Sequence, residues 1–73
     1  MNLLTANINK LLVVTGIFER EEIVKRLYNH EIKVGAFLTI SKRSKGCIIA
    51  IVNAKAVILS LDLCKNVGVD YAK

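Results

Sequence analysis

Few side chains in this sequence could do covalent or acid–base chemistry, and their spacing keeps them apart. There are two cysteines, Cys47 and Cys64, and a single histidine, His30. A thiolate nucleophile needs a base within hydrogen-bond reach, and a zinc-type centre needs Cys or His in closely spaced pairs such as CxxC. Neither pattern is present. Both cysteines stand among aliphatic residues and read as small core hydrophobes, while His30 lies far from them at the end of a helical stretch. Glu21 and Glu22 precede Lys25 and Arg26 by four positions, the spacing of a solvated helix face rather than of a catalytic carboxylate pair. The glycines (Gly16, Gly35, Gly46 and Gly68) are scattered, so no phosphate-cradling loop forms. The residues therefore predict a binding protein and not an enzyme, with no catalytic set, no metal site and no cofactor.

The bulk of the chain supports that expectation. Seventy-three residues make one domain with one modest core and little room for a deep cleft. The chain is 53% hydrophobic, yet its longest apolar run, Cys47 to Val52, is the length of a strand and far short of a membrane span. No secretory leader is recognisable at the N-terminus, so a cytoplasmic location is expected, where two thiols stay reduced. Eleven Lys and Arg against six Asp and Glu leave a net charge of +5, which favours acidic surfaces, nucleic acid or the inner face of a membrane without choosing among them.

The elements follow from changes of period. Residues 1–7 are mixed in pattern and read as a lead-in that packs a leucine or two. Leu11–Phe18 (LLVVTGIF) is a strand with a bulge or bend at Gly16. Over Glu19–His30 the positions Ile23, Leu27 and His30 recur at spacings of four and three, with Val24 and Tyr28 beside them, which gives an amphipathic helix of about three turns. The pairs Glu21–Lys25 and Glu22–Arg26 would each add roughly 0.2–0.5 kcal/mol to it. After Gly35 the period returns to two, through Ala36–Ser41 and Cys47–Asn53. Between them lies the polar turn Lys42-Arg43-Ser44-Lys45-Gly46. A tight turn at Asn53-Ala54-Lys55 leads to a strand over Ala56–Ser60. One helical turn fits in Leu61–Asn66, and Val67-Gly68-Val69 is a short last strand. Five short strands with one helix after the first predict a small closed barrel, since closure removes exposed strand edges.

Along most of its length, residues 8 to 70, the sequence resembles the FeoA family, the small cytoplasmic proteins of bacterial ferrous iron uptake. The resemblance rests on Gly16, Arg26-Leu27, Ile32 with Gly35, Leu38-Thr39-Ile40, Gly46, Val57 to Leu59, and Val67-Gly68-Val69. It implies an SH3-like β-barrel that is mainly β with one α-helix. It also implies a role beside FeoB, the membrane Fe(II) transporter, through protein–protein contact with its cytoplasmic part. The sequence departs from the family where Glu31 replaces a glycine, Val34 a proline and Ala54 a hairpin glycine. A left-handed helix cap is costly for a residue other than glycine, so either Asn29 or His30 takes that turn or the match is locally one residue out.

Alternation also predicts a surface. If Leu38 and Ile40 point inward, Phe37 and Thr39 point outward. If Ile48, Ala50, Val52, Val57 and Leu59 point inward, then Ile49, Ile51 and Ile58 lie on the opposite face. Phe37, Ile49, Ile51 and Ile58 would form an apolar patch, either covered by the helix or the N-terminal segment, or free as a docking or self-association face. Lys42, Arg43 and Lys45 would gather positive charge at one hairpin tip, suited to acidic protein or to headgroups at the inner membrane surface. A small basic barrel that binds RNA is the alternative. Such proteins stack bases on exposed aromatics, and only Phe37 reads as an exposed strand aromatic, so no nucleic-acid partner is expected.

Overall fold

In a computed structural model that describes residues 1–72, the element order is β1 (Leu12–Ile17), α1 (Glu21–Asn29), β2 (Phe37–Arg43), β3 (Cys47–Val52), β4 (Lys55–Ser60), α2 (Leu61–Cys64) and β5 (Val67–Tyr71). All strand pairs are antiparallel, and the strands run β4-β3-β2-β1-β5 across one sheet. The expected closure of the barrel does not occur, because β4 and β5 do not pair with each other. The connection between them is α2, a single turn capped by the Ser60 hydroxyl, which accepts from Leu63 N–H at 3.3 Å. Its last residue, Cys64, is buried in the core.

The inward set of the alternation is buried throughout: Leu38, Ile40, Ile48, Ala50, Val52, Val57 and Leu59 join Leu12, Val14, Val67 and Val69 in one core. The β1–β5 ladder shifts register between Val14 and Gly16, the bulge expected at that glycine. Helix α1 is shorter than its period suggested and contributes Leu27 to the core, with Ile23 packed at the margin. Of its two expected ion pairs only Glu21–Lys25 is made, at 3.3 Å and exposed, worth a few tenths of a kcal/mol at about the level of any solvated pair.

The helix ends in a way the sequence reading did not anticipate. Glu31 itself takes the left-handed position, at φ 65°, and neither Asn29 nor His30 does. The Glu31 N–H donates to the Tyr28 carbonyl and the Ile32 N–H to the Leu27 carbonyl, both at 2.9 Å, the double closure of a Schellman motif. Ile32 and Leu27 are both buried, and their contact supports this turn. The Glu31 carboxylate also accepts a hydrogen bond from the Asn53 side-chain amide in the β3–β4 turn. Asn53 (φ 50°) and Ala54 (φ 66°) are left-handed too, the geometry of a type I′ hairpin that usually takes glycine at its second position.

The N-terminal lead-in belongs to the fold. Leu3 and Ala6 are fully buried. Asn2 bridges to Gly68, Leu3 N–H donates to the Val67 carbonyl at 3.1 Å, and Val69 N–H donates to the Met1 carbonyl at 2.9 Å. Residues 1–3 thus pair along the outer side of β5.

Candidate functional site

The two thiols occupy different environments. Cys64 is fully buried, and burial is the main force pushing its pKa up from 9.0 to about 11, against the opposing pull of the Arg43 charge. At neutral pH it is a protonated thiol packed in the core, not a nucleophile. Cys47 is half-buried at the start of β3, with its sulfur 3.5 Å from the Ser44 hydroxyl. His30 is exposed at the C-terminus of α1, away from both. Among the described residues no group of three or more His, Cys, Asp or Glu is placed to hold a metal ion. Nor is any helix among them long and apolar enough to cross a membrane.

The predicted interaction residues lie on the outer side of β2, β3 and β4, with one exception. Cross-strand register sets Ile49 opposite Ile58, Ile51 opposite Ala56 and Thr39 opposite Ile51, so these side chains share a face. Phe37 and Ile58 are exposed, at 57% and 70%, whereas Ile49 and Ile51 are half-buried between their neighbours. The apolar area on offer is therefore centred on Ile58 and Phe37, with the two β3 isoleucines forming its floor.

Arg43 is the exception. The β2–β3 ladder shifts register between Ile40 and Lys42, and this bulge at Ser41 inverts the alternation beyond it. Lys42 now lies opposite Ile49 on the outer face, while Arg43 pairs with Ile48 on the inner one. Its guanidinium reaches the N-terminal segment and donates to the Leu3 carbonyl (3.3 Å) and the Ala6 carbonyl. Arg43 is thus a structural clamp on the lead-in. Lys42 and Lys45 are exposed, as Arg43 itself still is, and Ser44–Gly46 form the hairpin tip.

The aromatics also depart from expectation. Phe18 (74% exposed), Tyr28, Phe37 and Tyr71 are all on the surface, not Phe37 alone. The Phe18 ring lies over the paired glycines of β1 and β5: a Cβ at Gly16 would stand 2.9 Å from its tip, and one at Gly68 would be 3.5 Å from its edge. Gly16 and Gly68 thereby make a flat seat for an exposed ring. Lys33 lies over the Tyr28 ring at 5.0 Å.

Two adjoining grooves run beside β4. One, of about 390 Å³, is lined by Arg26, Leu27 and His30 of the helical side, by Ala56 through Ser60, and by Leu63. The other, of about 320 Å³, shares Arg26, Leu27, Ser60 and Leu63 with it and continues past Ile23 to Glu19 and Asn66.

This arrangement matches solved structures closely. The FeoA protein from Chlorobium tepidum superposes with a TM-score of 0.91 over 100% of this chain and 71% of its own, at 16% identity. The fold is that of the FeoA proteins. The iron(II) transport protein A of Clostridium thermocellum matches at TM-score 0.89 and 12% identity, over 97% of this chain and 45% of its own. The FeoA-like protein of Clostridium acetobutylicum matches at 0.81 and 16% identity, over 97% and 85%. No sequence-family model matches the chain, and no curated protein matches it by sequence. The FeoA-type fold is accordingly the SH3-like one that the sequence predicted, in its open form.

Proposed function

We propose that this chain is a small accessory protein of bacterial ferrous iron uptake that works in the cytoplasm by contact with a FeoB-type transporter. The observation that carries this reading is the superposition of the whole chain on FeoA and iron(II) transport protein A structures. It is joined by the matching residues from Gly16 to Val69. The contact uses the outer face of β2, β3 and β4: Phe37 and Ile58 as exposed apolar anchors, Ile49 and Ile51 beneath them, and Lys42 and Lys45 at the rim. Burying a side chain such as Ile58 fully would contribute roughly 1.5–3 kcal/mol before ordering costs. The two lysines, together with the charge of +5, favour an acidic protein surface held near the inner membrane leaflet.

The direct test is equilibrium binding of the chain to the cytoplasmic part of the FeoB-type transporter from the same organism. Saturable binding tighter than about 10 µM is expected, weakened by Phe37→Ser. No binding at about ten times that concentration, with both proteins folded, would overturn the reading.

A further inference from the structure

Strand β4 is an unpartnered edge. Its ladder with β3 runs without a register shift from Val52↔Lys55 to Cys47↔Ser60. Because a two-residue turn closes that hairpin, Val52 and Lys55 form a hydrogen-bonded pair, and so do Ala50–Val57 and Ile48–Leu59. The N–H and C=O groups of Ala56 and Ile58, and the N–H of Ser60, therefore point away from β3. Among the described residues no other backbone group hydrogen-bonds to them. Sheet edges are ordinarily blunted by a bulge, a proline, inward charge or a covering segment. β4 has none of these; its one charged residue, Lys55, stands at its very start.

What lies beside that edge is a groove with a sign. The helical wall supplies Leu27 and Arg26, and α2 supplies Leu63. Arg26 is the charged side chain lining the groove along β4, whereas the carboxylates Glu19 and Asp62 line the adjoining groove, Asp62 with Lys65 at 3.6 Å. Arg26 and Lys55 make no ion pair among the described residues. The charge lining the groove along β4 itself is thus positive.

We propose that the β4 edge is a strand-addition site, which takes an extended acidic segment of a partner protein as a sixth strand between β4 and α1. The row of backbone donors and acceptors supplies affinity. Half-buried Leu63 receives an apolar side chain, and Arg26 receives a carboxylate. A second copy of this chain is disfavoured because each copy carries +5. Lipid headgroups would answer the charge but not the backbone row. The inference goes beyond the transporter reading, since it specifies how any partner is held and does not depend on which protein supplies the strand.

The test uses the 15N-labelled chain and a short soluble peptide in which glutamate alternates with valine. In the free protein the Ala56, Ile58 and Ser60 amides should exchange with solvent rapidly, while those of Val57 and Leu59 are protected. Adding the peptide should protect the first three. A peptide with lysine in place of glutamate should bind at least about tenfold more weakly, and Arg26→Gln should shrink that difference. Ile58→Pro removes an outward N–H without touching the β3 ladder and should abolish binding. Should that variant not fold, the exchange pattern of the unaltered protein still decides. The idea fails if the three amides gain no protection at about 1 mM peptide, or if β4 is protected by self-association or by anionic vesicles instead. The transporter's cytoplasmic part, titrated in parallel, separates the two readings. If it binds with the β4 amides unaffected, only the strand-addition site fails. If the peptide binds and the transporter part does not, only the transporter reading fails.

Discussion

Along β5, the outermost strand on one side, the backbone of Met1 and Leu3 meets Val69 and Val67, and the Leu3 side chain is buried beneath. Along β4, on the other side, Ala56 and Ile58 face a groove, and Ile58 is 70% exposed. The same sheet therefore has one edge that its own chain covers and one that it leaves open. Covering an edge requires an anchored segment, and here Arg43 anchors it by donating to the Leu3 and Ala6 carbonyls. An open edge in a chain that has the means to cover edges is more consistent with use than with neglect.

The sharpest way to break this contrast is to make matched substitutions on the two edges. Leu3→Ala removes a fully buried side chain from the cover of β5 and should cost about 2–4 kcal/mol, read as a lower urea midpoint. Ile58→Ala on β4 should change stability by no more than about 0.5 kcal/mol. Equal costs would show that β4 is not the open edge. A smaller effect is expected from Arg43→Met, which keeps the aliphatic stem but leaves two carbonyls without their donor. About 1–3 kcal/mol should be lost, with faster exchange of the Leu3 and Val69 amides ahead of the rest of the sheet.

The α2 side, next to β4, carries a group that should make stability respond to high pH. Burial raises the Cys64 pKa from 9.0 to about 11, so the unfolded chain loses this proton first. The neutral thiol's contribution is fully present below pH 9 and is lost as pH rises toward 11. Thermal melts across that range should fall more steeply for the parent than for Cys64→Ala, and the Cys64 thiol should resist alkylation at pH 8 while half-buried Cys47 reacts.

How far the sequence foretold these edges differs from residue to residue. The period-two pattern placed Leu38, Ile40, Ile48, Ala50, Val52, Val57 and Leu59 inward correctly, because burial of one face imposes it. Arg43 was placed in the polar turn at the hairpin tip, but β2 continues through it, and a bulge at Ser41, which leaves no compositional mark, sets its side of the sheet. The role of residues 1–3 was hidden for another reason. Their cover of β5 is made of backbone hydrogen bonds, which carry no side-chain signature. Closure was expected because an open edge is a liability, and the sequence carries no mark of the open order β4-β3-β2-β1-β5. The outward positions of Phe37 and Ile58 were legible; the half-burial of Ile49 and Ile51 depends on neighbours across the ladder.

The smallest expected effect bears on why β4 is held straight enough to serve as an edge. Its hairpin turns through Asn53 and Ala54 in left-handed geometry, a conformation that disfavours a residue with a Cβ by roughly 1–2 kcal/mol. Ala54→Gly relieves that strain at some cost in unfolded-state entropy, so a net gain of about 0.5–1 kcal/mol is expected. Glu31→Gly would relieve a similar strain but remove the acceptor for the Asn53 amide, a side-chain link between the helix end and the hairpin. If that link helps hold α1 at its distance from β4, the two glycine variants should diverge. Ala54→Gly should leave the protection pattern of the β4 amides unchanged. Glu31→Gly should gain less stability and speed exchange at Lys55 and Val57, next to the turn. Identical behaviour of the two would mean that the turn alone sets the edge, and that the helix contributes only the far wall of the groove.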